Sequence, residues 1–508
     1  MIRSRKLFMT FVSLAVAFAF AGPSRAQGFL DLEKKVLEKT LSNGLKVILL
    51  PRPFAPVVSM VTYANVGGVD ENQNATGLAH IFEHMAFKGT TTIGTKDYAK
   101  EAEAMKKVDD AFLALRAERL RRPRSDEAKI KQLEETFKRA QDEARAYVVP
   151  NELGDIIERS GGKGLNAFTS FDQTVYLYSL PSNKLELWAT IEADRFTNPV
   201  LREFYKETDV IMEERRMAES RPITRLLIDF MPTAFSASMY RSFVIGWVSD
   251  IEATTRQQAE AWFDKYYRAK NLTAVVVGDV DPQTAIPMLE RTLGAIPAGE
   301  KPDPVVTVEP PQRAEKRLIM EDPSQPFLII AYHKGSITDP DDAVYEAIND
   351  ILAEGRSSRL YKSLITDKKL ALYTGSFTGL GQKYPGLFVF MAMPNRGKTN
   401  AECEAAIYEE IEQLRSHPVS DEELRAVKAK EKKKFLDTIE SNMGLARELA
   451  FAQNLRGDWR ETFRFLDKID KVTAADIQRV AQATFLKSNR TVGMIETTAV
   501  KPDQRAAQ

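Results

Sequence analysis

The chain is poor in the residues that most often carry chemistry: among 508 residues there is one cysteine, Cys403, and there are four histidines. A single cysteine excludes an internal disulfide and a thiolate metal cluster. Because it lies far from the N-terminal apolar run, no cysteine directly follows that run as a lipid attachment point. Net charge is missing as well, since 71 Lys and Arg balance 71 Asp and Glu. Bulk electrostatics therefore gives no reason to expect nucleic acid or an anionic membrane as the main partner. The long apolar run, Leu7 to Ala21, is about 15 residues where a membrane span needs roughly 20.

That run follows Arg3, Arg5 and Lys6 and precedes the small residues around Ser24-Arg25-Ala26. The pattern reads as a secretory signal peptide over residues 1–26, with an uncleaved anchor as the alternative. The mature chain then starts near Gln27 and keeps no stable membrane span. Export without disulfides requires a core large enough to hold the protein alone, which this length allows. The expected location is the periplasm of a Gram-negative bacterium.

At 44% hydrophobic residues the chain is too long for one core, so two or more domains are expected. The stretches "LSNGLKVILL" and "PVVSMVTYANVGG" read as strands, with a turn at Asn43-Gly44, and helical periodicity begins at Gly77. From about residue 99 to 150 the composition turns to Ala, Glu, Lys, Arg and Leu. Met105, Val108, Phe112 and Leu115, then Ile130, Leu133, Phe137 and Ala140, step three, four, three on either side of "RRPRSD". This predicts an antiparallel helical hairpin with a solvated outer face. Residues 295–312 carry Pro297, Pro302, Pro304, Pro310 and Pro311 and read as a stiff linker between a first part, 27–294, and a second, 313–508.

The two parts look like copies. "AKNLTAVVVGDV" resembles "KSNRTVGMIETT", setting Asn271 on Asn489 at an offset of 218, while Gly89 falls on Gly355 at an offset of 266. The difference of 48 residues matches the hairpin, which is therefore an insertion into the first copy.

Two of the four histidines lie in "HIFEH". At helical spacing His80, Glu83 and His84 project from one face. Neutral imidazoles suit zinc, and a carboxylate one turn along can take a proton from a water; the order is HxxEH, the reverse of HExxH. The alternative is a buried helix with hydrogen-bonded histidines, but a chance HxxEH at this histidine frequency arises on the order of once in several hundred such chains. In the second copy the same positions hold Glu346, Asn349 and Asp350, so only one half carries the constellation. A catalytic zinc usually has a third protein ligand. In "REFYKETDVIMEERRMAES", Glu207, Val210, Ile211, Glu214 and Ala218 share a stripe while Glu213 points about 100° away. On this ground Glu214 is a candidate ligand, with a surface charge as the other reading.

HIFEH with "MAFKGT", then "GGKGLNAFTSFDQTVYLYSLP", "KETDVIMEERR" and "GRSSRLYKSLITDKKLALYTGS" together resemble the M16 peptidases, the inverzincins that include pitrilysin, insulin-degrading enzyme and the mitochondrial processing peptidase. The resemblance spans essentially the whole mature chain. It implies an α+β fold of two tandem units, each a mainly antiparallel sheet with helices on one face, the second inactive. It implies one Zn2+ per chain held by His80, His84 and Glu214, Glu83 as general base, and Glu207 as a carboxylate orienting a ligand. The spacing between His84 and Glu214 is longer than the family's, and the hairpin accounts for most of the excess. The resemblance also makes "GLNAFTS" an edge strand beside the metal, with Asn166, Ala167 and Phe168 at the substrate, and Tyr373 as a second-unit residue holding the substrate carbonyl. One departure is Thr366, which stands where the family often has arginine. The implied activity is hydrolysis of short or unfolded peptides by a dimer, in some members formed with an inactive relative. The rival expectation is a non-catalytic binding or assembly subunit that keeps the fold; such a chain is expected to have lost Glu83 or a ligand.

Overall fold

The structure is a computed structural model in which residues 32–498 are described; the expected signal peptide lies outside them. Two sheets organise these residues. The first contains β1 (Leu37–Thr40), β2 (Lys46–Pro51), β3 (Val57–Ala64), β4 (Lys163–Thr169), β5 (Thr174–Pro181) and β6 (Leu272–Gly278), in the order β1-β2-β6-β3-β5-β4. The second contains β7 (Lys316–Asp322), β8 (Phe327–Lys334), β9 (Ala371–Leu380), β10 (Gly386–Pro394) and β11 (Arg490–Thr497), in the order β7-β11-β8-β10-β9. Apart from β1 the two orders coincide, and in each the one parallel pair joins the first strand to the last, β2 to β6 and β7 to β11. The duplication extends to single hydrogen bonds. Asn271 Nδ2 donates to the carbonyls of Tyr266 and Asn65, and Asn489 Nδ2 to those of Thr484 and His333.

In the first unit a helix α1 (Leu78–Met85) is followed by the hairpin α2 (Tyr98–Arg119) and α3 (Glu127–Arg145), then by α4 (Phe204–Glu219) and α5 (Pro222–Ala234). In the second, α6 (Asp342–Leu352) corresponds to α1, and α7 (Asp421–Glu440) and α8 (Asn442–Leu455) follow. Each unit packs its own helices on one face of its sheet. The opposite face is covered too, by a helix of the other unit. Leu445, Ala446, Leu449 and Ala450 of α8 lie on Val61, Tyr63, Val275 and Val277 of the first sheet. Leu226, Phe230, Met231 and Ala234 of α5 lie on Phe327, Ile329, Val389 and Ile495 of the second. Burial on both sides explains why β6 is buried at every residue and carries the continuous apolar stretch Ala274 to Val277 instead of an alternating pattern. It also explains Gly493 on β11, where an added Cβ would stand 2.6 Å from the Phe230 ring.

The hairpin forms where its periodicity places it. Asp97 and Asp126 cap its two helices by accepting backbone hydrogen bonds in the first turn. Met105, Val108, Phe112 and Leu115 are buried, whereas α3 has no fully buried residue. Phe112 stacks on Tyr205 of α4 at 4.1 Å between centroids, and Phe137 meets the same ring at 5.4 Å. The insertion leaves and rejoins the frame at one point, an antiparallel bridge between Thr95 and Val148.

Residues 297–313 form no helix or strand. They are pinned down all the same: Glu309 accepts from the amides of Ser236, Ala237 and Ser238, and the Tyr384 hydroxyl accepts from the amide of Val305.

Candidate metal centre

Helix α1 has eight residues, too few to be stable by propensity alone, so its surroundings must hold it. Leu78, Ala79, Ile81, Phe82 and Met85 are buried, with the Phe82 ring 4.1 Å from that of Tyr267. His80, Glu83 and His84 occupy the remaining, half-buried face. At the N-terminus the buried carboxylate of Glu71 accepts from the amides of Gly77 and Ala79, each at 2.9 Å. Gly77 has φ +91°, and a Cβ there would meet the Ile245 carbonyl at 2.8 Å; glycine is required on both counts. Arg215 of α4 donates to the carbonyl of Gly246 in the same loop. Beyond the C-terminus, buried Arg202 donates to the carbonyls of Lys88, Thr90 and Ile93 and pairs with Glu101 of α2 at 2.8 Å.

On that frame His80 Nε2 and His84 Nε2 each lie 3.6 Å from the same oxygen of Glu214, with the three donor atoms within 4.8 Å of one another. Donors on a tetrahedral zinc stand about 3.4 Å apart, so the set fits that ion. Among the described residues it is the only such group. Burial, and then the neighbouring His84, bring the His80 imidazole down to about 4, which keeps it neutral and ready to ligate. Burial also lowers His84, but its hydrogen bond to Glu207 and the carboxylates around it outweigh this and raise it.

Glu207 sits two turns before Glu214 on α4. Its carboxylate meets His84 Nδ1 at 3.0 Å and also pairs with Lys88. Burial pushes Glu207 up, but these two contacts prevail and hold it at about 2. An ionised carboxylate on Nδ1 fixes the ring so that Nε2 faces Glu214. Glu83 is raised above the ordinary carboxylate value, chiefly by burial, against hydrogen bonding from Thr169 of β4 and the charge of His84. A raised carboxylate beside a metal is suited to general-base work. Glu213 is exposed and pairs with Arg216.

The structure thus brings together His80, Glu83, His84, Glu207 and Glu214. Beside them a cleft of about 580 Å³ is lined by Phe87, Leu165, Asn166, Ala167 and the segment Val148–Asn151, with Glu83 and His84 at its edge. Strand β4 ends its sheet, so Asn166 and Ala167 lie on a strand with one open side. Phe168 does not join them. It packs on the other face of the sheet, in the layer under α8, with the Arg447 guanidinium 5.7 Å from its ring centre. Tyr373 lies on β9, the edge of the second sheet, 46% exposed and folded over Gly375, and it lines no part of this cleft. Thr366 is exposed in the π-helical turn Tyr361–Asp367.

Sequence reasoning missed Glu71, Lys88, Arg202 and the Val148–Asn151 wall. Lys88 had a signal, four residues beyond His84 on the same helical face; Arg202, a lone cation amid "NPVLREFY", had a weaker one. In the second unit the corresponding place is closed by ordinary polar contacts. Asn349 accepts from Ser376 Oγ at 2.6 Å, Glu346 from Thr378, and Asp350 holds the Lys434 ammonium of α7 at 2.6 Å.

An HxxEH helix completed by a carboxylate from a second helix is the ligand pattern of a class of zinc peptidases. The sequence profile described as insulinase (peptidase family M16) matches residues 46–115 and 145–243, and that of the peptidase M16 inactive domain matches residues 253–431. The chain belongs to the M16 peptidase family. The zinc protease PqqE of Helicobacter pylori is 24% identical over 92% of this chain and 93% of its own. The solved structure of a protease from Helicobacter pylori is similar with a TM-score of 0.76 at 23% identity, covering 91% of this chain and 99% of that one. The first half of the periplasmic protease PqqL from Escherichia coli is similar with a TM-score of 0.67 at 18% identity, over 93% of this chain and 96% of that one. At these identities the structures speak for the fold, two M16 units of mixed α and β structure.

Proposed function

We propose that this chain is a zinc metallopeptidase that hydrolyses peptide bonds of short or unfolded peptides. The observation that carries the reading is the convergence of His80, His84 and Glu214 on one point with Glu83 beside it. His80, His84 and Glu214 would hold one zinc, and the chemistry it would supply there is Lewis acidity. Glu83 takes a proton from that water and later delivers it to the leaving amine. Asn166 and Ala167 offer the open side of β4 to an extended substrate, whose main chain can add as a further strand whatever its sequence. Glu207 keeps His84 in its ligating orientation. Retention of all four catalytic and ligating residues favours this over a non-catalytic subunit of the same fold.

The test is zinc content together with hydrolysis of a quenched peptide library by the mature chain and by Glu83→Gln. The expected result is zinc in both proteins and a loss of about 100- to 10,000-fold in rate in the variant. Zinc with no cleavage in either would return the chain to the binding-subunit reading.

The protein works in the periplasm and as a dimer, with a second copy or an inactive relative. Support for export is the N-terminal charged and apolar run and the relative named as periplasmic. Support for pairing is that the chain spans 49% of the complete PqqL chain, and that Thr366 leaves the second unit without an arginine at that position. A purified native protein whose mass is that of one chain would sink the dimer.

A further inference from the structure

The proposed chemistry makes no use of the hairpin. Yet the segment on which the insertion returns, Val148–Asn151, walls the cleft that holds Glu83 and His84. We propose that the insertion sets the largest side chain a substrate can place beside the scissile bond, with Val148 and Val149 as the limiting wall. This rests on the peptidase reading of the same site.

The wall is held in place. The Lys96 amide donates to the Tyr147 carbonyl at 2.8 Å, the Val149 amide to the Gly94 carbonyl at 3.0 Å, and Glu152 accepts from the Gly94 amide. Gly94 belongs to the loop that Arg202 ties to Lys88, just past α1, and to Glu101 of the hairpin. Farther out, Phe112 and Phe137 bear on Tyr205, and Asp109 accepts from the Tyr205 hydroxyl at 3.0 Å. Tyr205 stands two residues before Glu207. The wall therefore cannot retreat without moving the elements that carry the metal ligands, and a packed, stapled surface discriminates by size.

Its chemistry is apolar. The cations at the cleft are already engaged, Lys88 by Glu207 and Lys206 by Glu203 at 3.0 Å. The apolar part of the lining open to a side chain is Phe87, Val148, Val149, Pro150, Leu165 and Ala167, with Asn151 and Asn166 as its uncharged polar residues. The wall is also thin. Behind it, between the hairpin and α4, lies a second cavity of about 180 Å³ that Val148 lines as well. Truncating Val148 thins the partition between the two spaces, and enlarging Val149 narrows the first.

The experiment uses the full mature chain, zinc-loaded and carrying Glu83→Gln so that peptides bind without being cleaved. Alanine-serine peptides bearing one Ala, Leu, Phe or Trp are bound to it by fluorescence anisotropy, with Val149→Trp or Val148→Ala added. The expected result is that Val149→Trp lowers the Trp-to-Ala affinity ratio by about tenfold and Val148→Ala raises it. Zinc content and melting temperature report on folding in each variant. A ratio unmoved by either substitution, or no binding of any peptide, overturns the proposal. Hydrolysis by the protein with Glu83 intact is scored separately, so a failure of the peptidase reading is distinguished from a failure of the wall.

Discussion

Glu207 touches both His84 and Lys88 and no other charged group in the centre, so its effect on the metal runs through one imidazole. Glu207→Gln is expected to lower zinc affinity about 10- to 100-fold, measured by competition with a chelator, while the fold survives. Glu71 gives a pH-dependent test. Burial is the larger influence on it and raises it from 4.5 to about 8, against the two amides it accepts from. Between those values the folded protein holds a proton that the unfolded chain has released, so stability falls as pH rises through the window. The urea midpoint of the metal-free protein should therefore decline from about pH 5 to about pH 8 more steeply than that of Glu71→Gln. At this scale the triple His80, Glu83, His84 was legible because two of the chain's four histidines share one helical face with a glutamate. Glu214 was separable from Glu213 by direction alone. Glu71 was not legible, since it lies in a loop seven residues before the helix it caps and no periodicity links the two.

The short helix α1 depends on the segments at its two ends, and Arg202 is the tie at the C-terminal one. Arg202→Met leaves Glu101 buried without its partner, and a loss of about 3 to 5 kcal/mol is expected from denaturant midpoints. Arg202→Lys keeps the charge but not the planar fork that serves three carbonyls, so it should fall between the two and also weaken zinc binding. The hairpin itself was legible because its apolar residues step three, four, three over both arms. Its role as a wall was not, because that depends on Thr95 and Val148 meeting across a gap of more than fifty residues. The direction of Phe168 could have been read from strand alternation. If Ala167 faces α1, its neighbour faces the other side.

The exchange of α5 and α8 sets how the whole molecule behaves. Burial of a large apolar side chain is worth about 1.5 to 3 kcal/mol, and domains are stable by only about 5 to 15. The large apolar residues exchanged, Leu445 and Leu449 of α8 and Leu226, Phe230 and Met231 of α5, together contribute about 8 to 15 kcal/mol, as much as a domain's entire margin. Cleavage in residues 297–313 is expected to leave the two pieces co-eluting on size exclusion, and each piece expressed alone should aggregate or fold only when mixed with the other. The duplication was legible from Asn271 and Asn489 and from Gly89 and Gly355, which mark matching turns. The exchange was not, because an apolar stripe on a helix does not say which sheet it will meet. During synthesis the bare face of the first sheet must wait for α8, which begins 164 residues after β6 ends, from Gly278 to Asn442. At about 5 to 20 residues per second this is on the order of ten seconds. The newborn first half is in that interval a sticky, unfinished object, open to wrong partners until α8 of its own chain arrives to close it.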